Sequence, residues 1–347
     1  MFDTVSGANN NIKLKNYLTE VYLKSGKMPY KEVESEERIK ELLVSVGERK
    51  QRVLITGGLG YIGTQLVEQM KKYHIDYISV DNRNTENLVG PEFLQFDLLD
   101  KQKTSECIEN FRPDFIVHCA TNSALDYYNK FLESFKKDSQ ALINILEALS
   151  KFPNCRLIFF SSSYVYNRLN PTKPVIETDL MQPTHNFGIA RLFFEQLILK
   201  THKNSVVFRL SSVFGPGNAS HPNAIINMTK EYFETGQLTV WGSGSRMMQY
   251  IYIKDVVKYI CEAFFLQPGI YNIGGDEYLP IAVVAKLIAD FFSARTVFLK
   301  DKHEGETLPL MDTNKLKSTS NTNHFTPFSQ ALEEYLKSFK VAKAMEK

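Results

Sequence analysis

Three glycines at a fixed spacing mark the first place where this sequence could do chemistry. Gly57, Gly60 and Gly63 follow an apolar run at residues 53–55, and an apolar-faced segment continues over residues 63–73. A glycine turn between a strand and a helix lets backbone N–H groups approach a pyrophosphate, and the helix N-terminus adds partial positive charge. The spacing in this context therefore predicts a dinucleotide-binding turn.

A carboxylate stands where a dinucleotide site would use one. Asp81 ends the next apolar run, 18 residues after Gly63. A carboxylate at this point accepts hydrogen bonds from the hydroxyls of the adenosine ribose and repels a 2′-phosphate. Asp81 therefore favours NAD, although Arg83 is close enough to attract the 2′-phosphate of NADP. We predict NAD as the cofactor.

The elements that must position these residues alternate between strands and helices. Short β-rich runs lie at residues 53–55, 77–80, 93–96, 115–118, 157–160 and 206–210. Helical patterns lie between them at residues 63–73, 101–111, 131–151 and 187–201. This alternation predicts an α/β fold with a Rossmann-type, doubly wound parallel sheet.

Three parts of the chain are expected. We expect a Rossmann domain for NAD at residues 51–210, to which residues 251–273 return. A smaller C-terminal substrate-binding lobe is expected at residues 211–250 and 274–347, where glycine- and proline-rich loops separate helical patterns at 224–235, 281–292 and 329–339. Residues 1–50 carry two amphipathic patterns and predict an N-terminal helical extension. It would either cap the main domain or a partner subunit, or dock a separate partner.

The composition excludes several classes of protein. The 347 residues are 43% hydrophobic and carry a net charge of +2 without a basic stripe, so no nucleic-acid partner is expected. No apolar run approaches the ~20 residues needed to cross a bilayer, and the N-terminus is polar, so we expect neither a membrane-spanning helix nor a signal peptide. The four cysteines are scattered and show no metal-ligand spacing, so we expect no metal site and a cytoplasmic protein.

Longer motifs resemble one family. The pattern Thr-Gly-Gly-x-Gly-x-x-Gly at residues 56–63 has the glycine spacing of the short-chain dehydrogenase/reductase superfamily. Residues 52–340 resemble its extended branch, the NAD-dependent sugar-nucleotide epimerases and dehydratases. Further matching motifs lie at residues 97–98, 118–120, 161–166, 209, 214–217, 241–244, 252–255 and 271–274. The resemblance implies a nucleoside-diphosphate sugar as ligand and a homodimer joined by a four-helix bundle, with two helices from each subunit at 131–151 and 187–201.

The resemblance also implies which residues bind ligands. The cofactor set is Gly57, Gly60, Tyr61, Ile62, Gly63, Asp81, Asn82, Arg83, Asp97, Leu98, Cys119, Ala120, Thr121 and Arg191. The substrate set is Ser162, Ser163 and Arg246. Ser162 stands at the position of the family's catalytic serine or threonine.

The catalytic pair of that family is altered in this chain. A Tyr-x-x-x-Lys pair on one helix face normally does the acid/base work, and the lysine holds the nicotinamide ribose and lowers the tyrosine pKa. The matching segment at residues 183–191 places Phe187 at the tyrosine and Arg191 at the lysine. Phenylalanine has no proton to transfer. Arginine keeps the positive charge, but with a pKa above ~12 it is no proton shuttle.

Other departures concern the substrate. Ser163 and Tyr164 replace the Asp-Glu pair of the dehydratases, so 4,6-dehydration is not expected. At two further positions, Asp138 and Ser212 replace asparagines of the family. Met248 and Gln249 replace an Arg-Asp pair that grips the substrate diphosphate in the family. Arg246, two residues from Met248, would substitute for the lost arginine.

Three functions remain open from the sequence. The first is an atypical sugar-nucleotide epimerase or oxidoreductase with relocated acid/base chemistry, using His185, Tyr164, Ser162 or His221. The second is a catalytically inactive protein that binds NAD and a sugar nucleotide, and the third is a non-catalytic subunit that pairs with an active homologue. We favour the first because so much of the cofactor site is intact.

Overall fold

A computed structural model describes residues 51–83, 92–166, 173–217, 219, 222–320 and 324–345. The expected N-terminal extension at residues 1–50 lies outside these ranges. All of the described residues belong to one compact unit. The proposed division into a Rossmann domain and a substrate lobe therefore stays a prediction.

Seven parallel strands form the central sheet. They are β1 (Arg52–Thr56), β2 (Asp76–Asp81), β3 (Phe93–Gln95), β4 (Phe115–His118), β5 (Arg156–Ser162), β6 (Ser205–Leu210) and β10 (Gly269–Ile273). Their order across the sheet is β10-β6-β5-β4-β1-β2-β3, and every neighbouring pair is parallel. The predicted Rossmann-type sheet is confirmed.

Helices cover both faces of this sheet because its strands are apolar on both sides. Val53 and Ile55 of β1 pack in one core with α1 (Tyr61–Lys72) and α7 (Ile253–Glu262), whereas Leu54 packs in the other. The opposite core contains residues of α2 (Lys101–Phe111), α4 (Phe131–Leu149) and α5 (Asn186–Thr201). Successive strand residues point to opposite faces, so one run of apolar residues serves both cores.

The remaining elements lie outside the central sheet. They are α3 (Ala124–Asn129), the 3₁₀ turn Ser163–Tyr166, β7 (Ser212–Phe214), α6 (Ala224–Thr235), β8 (Gln237–Trp241), β9 (Met247–Tyr252), β11 (Tyr278–Pro280), α8 (Ile281–Phe292), β12 (Arg295–Leu299), α9 (Asn314–Thr319) and α10 (Phe328–Met345). The first two precede β6 in the chain, and the others follow it. Two small sheets have the orders β11-β9-β7 and β12-β8.

The segment at residues 251–273 returns to the central sheet only in part. Its first two residues end β9, which belongs to a small sheet. Its middle forms the helix α7, which packs on one face of the sheet through Val256 and Ile260. Only Gly269–Ile273 joins the sheet as a strand, beside β6.

Parallel register brings the carboxyl ends of four strands together. Thr56 of β1 is paired with Val80 of β2 and with His118 of β4, and His118 is paired with Phe159 of β5. The residues that follow these strands therefore meet at one edge, where ligands bind in sheets of this type. In the described part of the chain, no helix is long and apolar enough to cross a membrane.

Candidate functional site

The glycine turn after β1 is built from close backbone contacts. Gly57 has a φ of +69°, and a Cβ there would lie 2.7 Å from the backbone nitrogen of Ala120. A Cβ on Gly63 would lie 2.1 Å from the carbonyl oxygen of Gly57, so only glycine lets α1 start this close to the turn. Gly60 is the N-cap of α1, and no side chain caps this helix end. The first N–H groups of α1 are thus left for a ligand.

Asp81 lies in a polar cluster at the carboxyl end of β2. Its carboxylate accepts hydrogen bonds from the Leu59 N–H (3.1 Å) and, in bidentate fashion, from Nε and Nη2 of Arg83 (2.8 and 2.9 Å). Burial raises the pKa of the Asp81 carboxyl, but these bonds outweigh burial and hold it below its ordinary value. Asn82 donates to Asp97 at 3.4 Å. The structure therefore brings Asp81, Asn82, Arg83 and Asp97 together.

The residues around this cluster and after β4 complete the predicted cofactor set. Leu98 is buried in the core, and its carbonyl accepts from Asn144 at 2.8 Å. Cys119 and Thr121 line a large cavity beside the glycine turn, which we call the main cavity, while Ala120 faces Gly57. Burial raises the pKa of the Cys119 thiol, which keeps it protonated and unreactive.

The main cavity has a volume of about 1110 Å³ and extends from the N-terminus of α1 to the β8–β9 loop. Its lining includes Gly60, Tyr61, Ile62, Thr121, Ser161, Ser162, Ser163, Tyr164, Phe187, Arg191, Ser211, Trp241, Arg246, Met248, Tyr250 and Glu304. Ligand pockets commonly have volumes of about 300–1,000 Å³. This cavity exceeds that range, and its lining extends from the N-terminus of α1 past Arg191 to Arg246.

Arg191 is buried against the cavity wall with most of its hydrogen-bonding capacity unused. It is 3% exposed, and its Nη2 donates to Thr121 Oγ1 at 2.8 Å and to the Asn122 carbonyl at 3.3 Å. Its Nε and Nη1 have no partner among the described residues. An unpaired buried donor is costly, so the N–H groups on these two nitrogens fit a ligand that carries oxygen acceptors, such as the nicotinamide ribose of NAD.

Three hydroxyl groups elsewhere in the cavity wall resemble the Arg191 guanidinium in their burial and hydrogen bonding. Ser161 Oγ, Ser211 Oγ and Tyr250 Oη are buried and have no hydrogen-bond partner in the described ranges. All three residues line the same cavity as Arg191. Their orphaned groups would be satisfied by a polyhydroxylated ligand.

Phe187 forms an apolar patch where the family pattern places a tyrosine. The Arg191 guanidinium lies 4.4 Å above its ring, and the rings of Tyr127 and Tyr164 contact it edge-on at 5.6 and 6.2 Å. A Cβ on Gly188 would lie 2.4 Å from the Tyr164 carbonyl oxygen. Gly188 therefore lets α5 pack directly on the 3₁₀ turn, and this packing holds Tyr164 beside Phe187.

The other candidates for acid/base chemistry differ in their position. His185 is the N-cap of α5, where its Nδ1 accepts the Phe187 N–H at 3.1 Å, and it is not among the cavity-lining residues. Its ring packs on Tyr164 at 4.7 Å. Ser162, Ser163 and Tyr164 all line the cavity. His221 lies outside the described residues.

The residues that depart from the family pattern mostly have structural contacts. Asp138 is buried, and its carboxylate accepts from Asn122 Nδ2 at 2.7 Å and from Tyr127 Oη at 2.9 Å. Gln249 donates to the Gly275 carbonyl at 2.8 Å. Met248 presents an apolar side chain to the cavity. The Arg246 guanidinium donates to the backbone carbonyls of Glu306 at 2.8 Å and of Glu304 at 3.3 Å.

Sequence reasoning missed several groups that the structure brings to the cavity. Ser211 lies between Arg209 and the motif at residues 214–217, and Tyr250 precedes the motif at residues 252–255. This proximity is the sequence signal that points to both hydroxyls. Glu304 lies in the loop after β12 and carries no motif in the sequence. Only the folded chain places it opposite the β8–β9 loop.

Comparison with known proteins gives one family. A sequence model described as the NAD dependent epimerase/dehydratase family matches residues 53–274. Methionine adenosyltransferase 2 subunit beta of Mus musculus is 24% identical over 305 residues, which cover 84% of this chain and 89% of that protein. An uncharacterized UDP-glucose epimerase of Bacillus subtilis is 29% identical over 283 residues, 74% of this chain and 87% of that protein.

Solved structures show the same fold. A UDP-glucose 4-epimerase from Thermotoga maritima, solved with UDP-glucose, superimposes with a TM-score of 0.77 at 20% identity. It covers 84% of this chain and 100% of its own. A UDP-glucose 4-epimerase of Thermus thermophilus in complex with NAD gives a TM-score of 0.75 at 21% identity, with coverage of 84% and 100%.

Proposed function

Since the chain belongs to the NAD-dependent epimerase/dehydratase family, we propose that it is an atypical sugar-nucleotide epimerase or oxidoreductase. The proposal places NAD and a nucleoside-diphosphate sugar side by side in the main cavity. The observation that carries it is the set of unpaired buried groups of Arg191, Ser161, Ser211 and Tyr250 in one cavity wall. These groups match a ribose and a sugar, both of which are rich in hydroxyls.

The cofactor residues have separate tasks in this proposal. The N-terminus of α1 binds the pyrophosphate, Asp81 accepts hydrogen bonds from the adenosine ribose, and Arg191 donates its free N–H groups to the nicotinamide ribose. When bound, NAD supplies a reversible hydride acceptor. Asp81 supports NAD rather than NADP because a carboxylate repels a 2′-phosphate, while Arg83 is engaged with that carboxylate.

Proton transfer requires a group other than Phe187. Tyr164 is the candidate that the contacts support best, since it lines the cavity and its ring lies beside Phe187. A deprotonated Tyr164 Oη would take the proton of a sugar hydroxyl, directly or through Ser162, and bound NAD would accept the hydride from the carbon that carries this hydroxyl. The products would be a keto sugar and NADH, and return of the hydride to the opposite face would give the epimer.

The test is an assay of the whole protein with NAD and a panel of UDP-, GDP-, CDP- and dTDP-sugars. Formation of NADH is followed by absorbance and formation of an epimer by NMR. We expect turnover of at least one sugar by the wild type and by Phe187→Leu. Tyr164→Phe should lower turnover about 10²–10⁴-fold while leaving NADH affinity unchanged. Turnover by the wild type that survives Tyr164→Phe but is lost in His185→Ala would assign the proton transfer to His185.

A second candidate function is a non-catalytic binding protein or regulatory subunit. Phe187, packed against Arg191 without any proton to transfer, favours it, and one relative is a subunit of methionine adenosyltransferase. In that case the wild type binds NADH but turns over no sugar. The double change Phe187→Tyr with Arg191→Lys would then be expected to produce activity, provided that sugar binding is intact.

We also propose a cytoplasmic homodimer. Leu132 on α4 and Ile189 and Phe193 on α5 are apolar yet 78%, 42% and 48% exposed, and the two helices pack together. A second copy would cover these side chains in a four-helix bundle. All four cysteines are free thiols, which supports a reducing compartment.

A further inference from the structure

A buried carboxylate lies behind the part of the cavity wall that contains Arg191. Asp138 of α4 is 4% exposed, and it is not among the residues that line the main cavity. Its oxygens accept hydrogen bonds from the Asn122 N–H at 3.1 Å, from Asn122 Nδ2 at 2.7 Å and from Tyr127 Oη at 2.9 Å. Asp138 can therefore act on a ligand in the cavity only through other residues.

Asn122 connects this carboxylate to Arg191. Its N–H and its side-chain amide donate to Asp138, while its carbonyl accepts from Arg191 Nη2 at 3.3 Å. The same Nη2 donates to Thr121 Oγ1 at 2.8 Å, and the guanidinium lies 4.4 Å from the centre of the Phe187 ring. Because the guanidinium is planar and rigid, these contacts also fix the directions of Nε and Nη1.

The charge of Arg191 needs a counter-charge because the side chain is buried. Burial lowers the pKa of Arg191, and the negative charge of Asp138 acts in the opposite direction. Burial raises the pKa of Asp138, and the positive charge of Arg191 opposes this shift. Each of the two groups therefore favours the charged form of the other.

Two other titratable groups near Arg191 are neutral. Burial and the charge of Arg191 lower the pKa of His118 to about 3. Burial, together with the charge of Asp138, raises the pKa of Tyr127 above its ordinary value, so its hydroxyl stays protonated and donates to Asp138. Neither group can balance the arginine, whereas Asp138 can.

We propose that Asp138 is the counter-charge and the positioning residue of Arg191: it balances the buried cation and, through Asn122, keeps Nε and Nη1 available to a ligand in the cavity. This inference rests on the proposed function, which assigns these two nitrogens to the nicotinamide ribose. It also gives a physical reason for the aspartate at this position, because a neutral side chain would leave the arginine without a counter-charge.

Neutralising Asp138 should have opposite effects on stability with and without Arg191. Beside Arg191 the carboxylate stabilises the fold, because loss of one partner of a buried charge pair leaves the other charge uncompensated. Without Arg191 the carboxylate is itself an uncompensated buried charge. A residue that only supports the loop after β4 would have the same effect in both cases.

The experiment is a double-mutant cycle of Asp138→Asn and Arg191→Met in the full-length protein, measured by fluorescence titration with NADH and by thermal unfolding. In the wild type, Asp138→Asn should raise the Kd for NADH about tenfold and lower the Tm. In the Arg191→Met background, the same change should leave the Kd unchanged and raise the Tm.

Asp255→Asn is the matched control. Asp255 of α7 is also 4% exposed, and its carboxylate accepts from Thr326 N at 2.8 Å and from Thr326 Oγ1 at 2.9 Å. It is not among the residues that line the main cavity. Its replacement should lower the Tm equally in both backgrounds and leave the Kd for NADH unchanged in each.

The outcomes separate this inference from the proposed function. Equal effects of Asp138→Asn in both backgrounds would overturn the inference, and so would an unchanged Kd in Asp138→Asn; the proposed function stands in either case if Arg191→Met weakens NADH binding. Unchanged NADH binding by Arg191→Met would overturn the assignment of Arg191 to the ribose, while the Tm values of the same proteins still decide the charge pair. If Arg191→Met does not fold, a folded double variant supports the pair and an unfolded one contradicts it.

Discussion

Removal of the Asp81 charge should weaken NADH binding without unfolding the protein. Asp81 is 6% exposed, and its two oxygens accept from Leu59 N, Arg83 N and the Arg83 guanidinium. In Asp81→Asn the amide keeps the shape, but one oxygen becomes an NH₂ group that cannot accept a hydrogen bond. The ribose loses a charged acceptor, and Arg83 loses its bidentate partner.

The size of the effect follows from these contacts. A hydrogen bond to a charged group contributes about 1.5–3 kcal/mol, so loss of one such bond to the ribose should raise the Kd for NADH about 10- to 150-fold. The Arg83 side chain is 55% exposed and can turn toward a 2′-phosphate once its partner is gone. The affinity for NADPH should therefore rise as that for NADH falls.

Fluorescence titration with NADH and NADPH measures both changes. Asp76→Asn is the matched control, because Asp76 lies at the opposite end of the same strand and pairs with Arg52 at 3.2 Å. It should leave both affinities unchanged. NADH binding to Asp81→Asn at wild-type strength, or tighter binding of NADPH than of NADH by the wild type, would refute the assignment of Asp81 to the ribose.

Three further predictions concern packing and assembly. Gly63→Ala places a Cβ 2.1 Å from the Gly57 carbonyl oxygen, so it should lower both the Tm and the affinity for NADH. An unchanged NADH titration curve would show that the turn is not the pyrophosphate site. Glu195→Gln breaks a fully buried ion pair with Arg209 at 2.6 Å and should cost about 3–5 kcal/mol in urea unfolding, whereas a loss below about 1 kcal/mol would contradict the pairing. Phe193→Asp should convert a dimer to a monomer in light scattering, and a monomeric wild type at micromolar concentration would refute the dimer.

The sequence predicts best where the fold depends on local signals. The bounds of Lys101–Phe111, Ala224–Thr235 and Ile281–Phe292 agree residue for residue with the helical patterns. Side-chain caps explain two of these starts, since Asp100 accepts from Lys103 N and Asn223 accepts from Ile226 N. Buried strands such as Phe115–His118 are equally clear because both of their faces are apolar.

The short strands of the small sheets could not be predicted. Gln237–Trp241 and Arg295–Leu299 are partly exposed and pair across a long stretch of chain, so neither carries a strong pattern by itself. The candidate site shows the same difference between local and long-range signals. The glycine turn is a local signal, whereas the contact of Glu304 with Ser243 joins residues 61 positions apart and depends on the whole fold.

We propose that NAD and a nucleoside-diphosphate sugar bind side by side in the main cavity. An interligand nuclear Overhauser measurement on the full-length protein tests this directly, with NADH and one sugar nucleotide present together. We expect transfer of magnetisation between the nicotinamide protons and the protons of the sugar ring, and its loss when Arg191→Ala weakens the nicotinamide site. Binding of NADH without any such transfer to any sugar nucleotide of the panel would show that the two ligands do not lie side by side.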